Sequence, residues 1–150
     1  ETYKGIFNQD IEMKEGLINN EYTFSPRNRY ESVFDENLQI RDLNNAHFTN
    51  CIIDGSLSTE IEFQENSSGA FNYTFDHCLI KIDPNTNTNT ANFINIIKNE
   101  KAEFEDKSQR NFHLKALSPC IDAGKFTFIL DDIEGNIRSN PDLGAYEFIN

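Results

Sequence analysis

The sequence predicts an all-β fold in which short parallel strands stack as the coils of a solenoid. Three observations lead to this prediction. The 150 residues include 20 Asn, 13 Phe and 5 Tyr but no Trp, a composition typical of many bends joined by short aromatic-bearing strands. One stretch of sequence recurs after 27 residues. Within each copy, the alternation of apolar residues slips by one position. A chain of this length is the usual size of one domain.

Residues 1–37 form the first element, and they contain no motif. The chain starts at Glu1 in a polar stretch, without an initiator Met. We therefore expect a processed product or the tail of a longer chain. On that expectation, residues 1–37 continue from preceding coils of the same protein or pack on them.

Residues 38–116 form the second element, the coils of the solenoid. The stretch AHFTNCIIDG, from Ala46, resembles YTFDHCLIKI, from Tyr73. Their alignment predicts three pairs of core neighbours on adjacent coils. The pairs are Phe48 with Phe75, Cys51 with Cys78, and Ile53 with Ile80.

The slip in alternation falls at Asn50 in the first copy and at His77 in the second. Phe48 precedes the slip and Cys51 follows it, three positions later, although both are apolar. Since side chains alternate strictly along a strand, the chain must bend at the slip to keep both residues inside. Asn and His tolerate the left-handed backbone conformation that such a bend can need. We therefore predict coil corners at Asn50 and His77.

Residues 117–150 form the third element, a capping segment. It includes DLGAYEF, residues 142–148, a block of Gly, Ala and aromatic residues in a polar chain. A stack of coils exposes an apolar end and unpaired strand edges unless something covers them. We expect this segment to lie over the open end, with Gly144 allowing close backbone approach and Tyr146 supplying apolar cover.

Four motifs follow one another in the closing part of the chain. They are FHL (residues 112–114), SPCIDAG (118–124), DIEGNIR (132–138) and DLGAYE (142–147). This series resembles the terminal signature of right-handed parallel β-helices of the pectin-lyase-like type, which occur in secreted and surface proteins of Bacteroidetes. The resemblance implies right-handed coils and a location outside the cell or on the outer membrane. We assign the structural cap to seven residues of these motifs: Asp122, Gly124, Gly135, Arg138, Asp142, Gly144 and Tyr146.

Arg138 has two interpretations. Its guanidinium could tie neighbouring loops together through a carboxylate and backbone carbonyls. Alternatively, it could clamp a substrate carboxylate, as an enzyme acting on acidic polysaccharides requires. The local turn chemistry favours the structural interpretation.

Asp131, Asp132, Glu134 and Asn136 place four oxygen-bearing side chains within six residues, which raises the hypothesis of a calcium site. The spacing is not that of an EF-hand, and a tight turn at Gly135 explains it more simply. We therefore expect no metal and no cofactor, with calcium at Asp131, Asp132 and Glu134 as the less favoured hypothesis.

Charge and composition limit the partners of the chain. The formal net charge of −12 disfavours nucleic acid, and no apolar run approaches the length needed for direct insertion into a membrane. The three cysteines form no metal-binding spacing, and a stacked pair of reduced core thiols at Cys51 and Cys78 is favoured over a bridge.

The preferred function is non-catalytic: the segment caps the solenoid and offers an extended face for binding. The resemblance implies that its ligand is glycan or another envelope protein at the cell surface. A lyase would need a base beside carboxylates, and the basic residues on expected strands share no recurrent spacing with carboxylates. These basic residues are Arg41, Lys81, Lys98 and Lys115. Two alternatives remain, a polysaccharide lyase or glycoside hydrolase whose catalytic residues lie outside this segment, and a structural spacer.

Overall fold

The structure, a computed structural model, describes residues 11–18, 24–31 and 38–149. These residues contain ten strands and no helix, so none of their segments is a helix that could cross a membrane. The strands are β1 (Ile11–Ile18), β2 (Arg29–Glu31), β3 (Leu38–Ile40), β4 (Leu43–Ile53), β5 (Phe71–Asp76), β6 (Leu79–Ile80), β7 (Phe93–Ile94), β8 (Ile97–Lys98), β9 (Phe104–Asp106) and β10 (Asn111–Leu114). The described residues are therefore strand-rich, as the all-β prediction requires.

The main sheet is parallel and curled, with β4 at its centre. β1 pairs along β4 from Ala46 to Ile53. On the other edge of β4, β5 pairs with its first half and β6 with its last two residues. β7 then pairs with β5, and β8 pairs with β6. β5 and β6 thus form one line of chain interrupted at residues 77 and 78, and β7 and β8 form the next line, interrupted at residues 95 and 96.

Phenylalanines stack across the parallel strands. The rings of Phe48 and Phe75 lie with centroids 4.7 Å apart and planes 15° apart, and Phe75 stacks on Phe93 at 5.8 Å and 7°. Phe48, Phe75 and Phe93 also occupy one register row of the sheet. The predicted Phe48–Phe75 pair is therefore in contact, and a third strand extends it. The remaining buried members of this first core include Cys51, Ile53, Cys78 and Ile80.

A left-handed residue interrupts each of these three parallel lines. Asn50 has φ of 54°, His77 of 53° and Asn95 of 49°. Such values are uncommon outside glycine, and Asn and His are among the residues that adopt them most readily. Each follows its stacked phenylalanine by two positions, so the three corners lie side by side. The left-handed conformation expected at Asn50 and His77 is present, and Asn95 adopts it as well, outside the two aligned copies.

The corner leaves apolar side chains on both faces of the sheet. Cys51 and Ile53 belong to the first core, whereas Ile52, between them, belongs to a second one. Leu79 and Ile97 occupy the register positions of Ile52 on the next two strands. The other members of this second core come from later in the chain: Ala102, Phe104, Phe112, Leu114, Cys120, Ile121, Ala123 and Leu143.

The expected position of residues 117–150 over the open end of the stack stays a prediction. Within this segment, Leu143 and Cys120 pack with Ile52 and Leu79 in the second core, apart from the first one. The physical reason is that the face carrying Ile52 and Leu79 is apolar beyond the corner and requires cover. Residues 104–114 differ from a parallel coil, because β9 and β10 form an antiparallel hairpin.

A second line of parallel contacts runs beside the main sheet. Phe24 bridges to Ile61, which bridges to Ile82, and Arg27 bridges to Gln64. The predicted unit 1–37 is described only at residues 11–18 and 24–31. The first segment and residues 24 and 27 pair in parallel with later parts of the chain, whereas β2 pairs antiparallel with β3. The other residues of this unit lie outside the described part.

We expect Phe75→Ala to lower the free energy of unfolding by about 3–5 kcal/mol, because it removes the central ring of a fully buried stack. Urea denaturation followed by circular dichroism measures the change. Phe128→Ala, at a side chain 97 % exposed, is the matched control and should change stability by less than about 0.5 kcal/mol. Equal losses in the two variants would contradict the stacked core.

Candidate functional site

Arg138 lies at the centre of the closing segment and is 2 % exposed. Its Nη1 donates to Oε1 of Glu147 at 2.7 Å and to the carbonyl of Asp142 at 3.2 Å. Its Nη2 donates to the carbonyl of Gly144 at 3.0 Å. A substrate clamp must reach solvent, and this guanidinium does not. Its contacts are those of the structural interpretation, in which it ties one part of the tail to another.

Buried carboxylates complete this network by accepting backbone N–H groups. Asp142 accepts from Asp122 at 2.7 Å and from Phe148 at 2.6 Å, while Glu147 accepts from Asp142 at 2.9 Å. Burial raises the pKa of both Asp142 and Glu147, although these hydrogen bonds and the charge of Arg138 act in the opposite direction. The tail is therefore held by polar groups that water cannot reach.

Two glycines allow the close approaches in the tail. A Cβ on Gly124 would lie 2.6 Å from the carbonyl oxygen of Pro141, which leaves no room for a side chain. Gly144 has φ of 93°, and a Cβ there would lie 3.0 Å from Cδ1 of Ile52. The ring of Tyr146 packs on the ring of His113, with centroids 4.1 Å apart.

Asn50 joins the tail to the sheet. Its side-chain amide donates to the carbonyl of Lys125 and accepts from the N–H of Lys125, each at 2.7 Å. The carbonyl of Asn50 accepts from the N–H of Gly144 at 2.8 Å. The corner residue is thus also the anchor of the tail.

The neighbouring corner is polar as well. Nδ1 of His77 lies 2.6 Å from Oδ1 of Asp76, and Nε2 lies 3.0 Å from the amide nitrogen of Asn95. Lys125 contacts the other oxygen of Asp76 at 2.7 Å. Burial acts to raise the pKa of Asp76, but the hydrogen bonds from Lys125 and His77 prevail and hold it below its ordinary value.

The turn proposed for calcium uses its carboxylate in another way. Oδ1 of Asp132 accepts the N–H groups of Glu134 and Asn136, and Oδ2 accepts those of Glu147 and the Asn136 side chain. Burial acts against the charged form, yet these four bonds lower the pKa of Asp132 to about 2. The described residues contain no group of three or more His, Cys, Asp or Glu that could hold a metal. Asp132 thus uses both oxygens to stabilise the turn at Gly135, and calcium at Asp131, Asp132 and Glu134 stays the less favoured hypothesis.

Cys51, Cys78 and Cys120 are all buried, and no disulfide joins them. The Sγ of Cys78 donates to the carbonyl of Phe48 at 3.3 Å, across to the adjacent strand. A hydrogen bond with Cys51 lowers the pKa of Cys78, and burial raises the pKa of Cys120 to about 12. Cys51 and Cys78 lie together in the first core, as the repeat predicts.

An open cleft with a volume of about 480 Å³ lies at the hairpin β9–β10. Phe104 of this hairpin also lines a smaller recess, together with residues 143–146 of the tail. The walls of the cleft come from the residues that follow β4, β6 and β8 and from the hairpin itself. Four lysines and four carboxylates line it together with Gly55 and Phe104: Lys81, Lys101, Lys107, Lys115, Asp54, Glu103, Glu105 and Asp106. Half of the eight lysines of a chain with net charge −12 thus meet at one cleft.

Two of these lysines are used to shape the cleft. Lys107 pairs with the buried carboxylate of Asp54 at 2.7 Å, and its Nζ lies 5.4 Å from the ring centroid of Phe104. Lys81 donates to the carbonyl of Gly55 at 2.9 Å. Within the described part of the chain, Lys101 and Lys115 make no side-chain hydrogen bond or ion pair, and both are exposed. The cleft therefore presents two lysines whose charge is available to a ligand.

Of these four lysines, only Lys81 and Lys115 lie at positions that the sequence predicts to be strands. Lys101 lies after β8 and Lys107 lies in the turn of the hairpin, so no common spacing links the four. The other two basic residues on expected strands do not join the cleft. Lys98 donates to the carbonyls of Pro84 and Thr86 at 2.8 and 2.7 Å, and Arg41 does not line the cleft.

Comparisons of the chain with protein-family models, with curated proteins and with solved structures gave no match.

We expect the contribution of Asp132 to stability to be lost at low pH. Its folded pKa of about 2 lies below its ordinary value of 3.8, so the contribution is complete above the ordinary value and disappears as the pH falls through the folded one. The difference in unfolding free energy between the wild type and Asp132→Asn, measured by urea denaturation across this range, should therefore shrink on acidification. A constant difference would contradict the role assigned to this carboxylate.

Arg138→Met should lower the free energy of unfolding by about 3–5 kcal/mol, because it leaves the Glu147 carboxylate buried without its cation. Adding Glu147→Gln should recover part of the loss, since the amide oxygen can still accept from the N–H of Asp142. Urea denaturation of both variants measures this coupling. A double variant less stable than Arg138→Met would show that the ion pair is not the main contact of Arg138.

Proposed function

We propose that the chain is part of a right-handed parallel β-helix of the pectin-lyase-like type, from a secreted or surface protein of Bacteroidetes. Three features support the β-helix: the parallel register of successive strands, the second line of parallel bridges through Ile61, and the row of left-handed corners beginning at Asn50. The motif series at the end of the chain supports the type and the location. Preceding coils of the same protein are the first partner on this proposal.

We further propose that the segment binds an anionic glycan in the cleft lined by Lys81, Lys101, Lys107 and Lys115, which we call the lysine cleft. The observation that carries this proposal is the pair of exposed lysines, Lys101 and Lys115, beside lysines that already have partners. An ammonium group is a compact charge suited to the carboxylates of uronate sugars. The carboxylates of the cleft can accept hydrogen bonds from sugar hydroxyls. Because the protein as a whole is acidic, only a local concentration of lysines can attract an anionic chain.

The proposed activity is binding without cleavage. A lyase of this architecture needs a base beside carboxylates that hold calcium against the uronate. The cleft offers lysines, but no group of three or more metal-ligating side chains exists among the described residues. If the whole protein is a polysaccharide lyase or a glycoside hydrolase, its catalytic residues lie outside this segment. A structural spacer is the remaining alternative, and it predicts no ligand in the cleft.

Calorimetric titration with oligogalacturonate tests the proposal. We expect binding that weakens with added salt, because the attraction is between exposed charges. Lys101→Ala/Lys115→Ala should reduce the affinity at least tenfold, a change of about 1.4 kcal/mol. A neutral oligosaccharide of the same length should not bind.

Arg29→Ala/Arg41→Ala is the matched control, since it removes two exposed cations outside the cleft. Its affinity should equal that of the wild type. An equal loss in both double variants would mean that net charge alone governs binding, and the cleft would have no special role. The appearance of unsaturated ends, seen as ultraviolet absorbance, would favour the lyase instead. No binding to any glycan would favour the spacer.

A further inference from the structure

Large apolar side chains project from one short part of the tail. Phe126 is 63 % exposed, Phe128 97 %, Leu130 61 %, Ile133 72 % and Ile137 78 %. We call these five residues the apolar strip. A single exposed apolar side chain is normal on a protein surface, but five within twelve residues exceed such scattered exposure and need an explanation. The contrast is strong here because mean hydropathy of the chain is −0.60.

The backbone that carries the apolar strip is held in place. Asp131 bridges to Ile137 in antiparallel fashion, and the N–H of Arg138 donates to the carbonyl of Leu130 at 2.9 Å. Before the strip, Lys125 is fixed to the Asn50 side chain by two hydrogen bonds of 2.7 Å. A partner would therefore meet a surface that is already ordered, and little conformational entropy would be lost on binding.

The exposed charges within the apolar strip have one sign, and the only basic group that contacts them among the described residues is His113, whose Nε2 lies 3.2 Å from Oε2 of Glu134. Asp131 and Glu134 are exposed between its members, and residues 126–137 contain no Lys or Arg. The nearest cations in sequence are engaged, since Lys125 pairs with Asp76 and Arg138 is buried against Glu147. An anionic membrane surface would be repelled by this arrangement. A second copy of the chain, with its own charge of −12, would be repelled as well.

We propose that the apolar strip is a docking surface for a cationic polypeptide segment that carries apolar side chains. Its apolar side chains cover Phe126, Phe128 and Leu130, and its lysine or arginine residues pair with Asp131 and Glu134. Charge complementarity selects this occupant over the acidic and lipid alternatives. The surface does not depend on the lysine cleft, so it can function whether or not the cleft binds glycan.

The test uses a fluorescent synthetic peptide in which lysine and leucine alternate, titrated with the protein and followed by anisotropy. Two control peptides replace either lysine by glutamate or leucine by serine. We expect the lysine–leucine peptide to bind at least tenfold more tightly than either control. Phe126→Ser/Phe128→Ser should weaken its binding at least tenfold, and Asp131→Asn/Glu134→Gln should weaken it and reduce its dependence on salt.

Leu117→Ser is the matched control, because Leu117 is 91 % exposed but lies outside the apolar strip. Its binding should equal that of the wild type, and urea denaturation should show that every variant is folded. Equal binding of the glutamate peptide, or no effect of Phe126→Ser/Phe128→Ser, would overturn the proposal. So would binding of the wild type to anionic phospholipid vesicles, or a dimer in sedimentation that Phe128→Ser abolishes, since each identifies a different occupant.

Discussion

The left-handed conformation at Asn50, repeated at His77 and Asn95, is the constraint on which the rest of the structure depends. It shifts the alternation of side chains, so that Phe48 before it and Cys51 after it both enter the first core. The same shift turns Ile52 and its equivalents on the next strands to the other face. That face would remain exposed without the closing segment, so the corner creates the requirement that the tail fulfils.

The tail satisfies this requirement with little regular structure of its own. Its apolar contribution is small, with Leu143 and Cys120 as its fully buried members. Its order comes mainly from buried polar contacts. Arg138 donates to backbone carbonyls, and the carboxylates of Asp132, Asp142 and Glu147 accept backbone N–H groups. Such networks are costly when incomplete, because an unsatisfied group in a low-dielectric interior loses its hydration. A short irregular segment can therefore hold one conformation.

The sequence predicted what depends on local alternation. The contact of Phe48 with Phe75 and the corners at Asn50 and His77 follow from two aligned copies. The third copy of the repeat, at Phe93, was not predicted because the spacing from Phe75 falls to 18 residues. It nevertheless retains the pattern of Phe, then Asn or His, then Leu or Ile. The cleft could not be predicted, because its lysines lie on connections that only the stacking of strands brings together. Nor could the position of the tail, which depends on apolar residues such as Ile52 and Leu79 in the second core.

The bond between Asn50 and Lys125 has a consequence for biosynthesis. It joins residues 75 positions apart, so it can form only after a long stretch of chain has left the ribosome. Until then, Ile52 and Leu79 remain uncovered on a nascent sheet, where they are available to chaperones or to premature association. Docking of the tail is thus the event that ends this vulnerable interval.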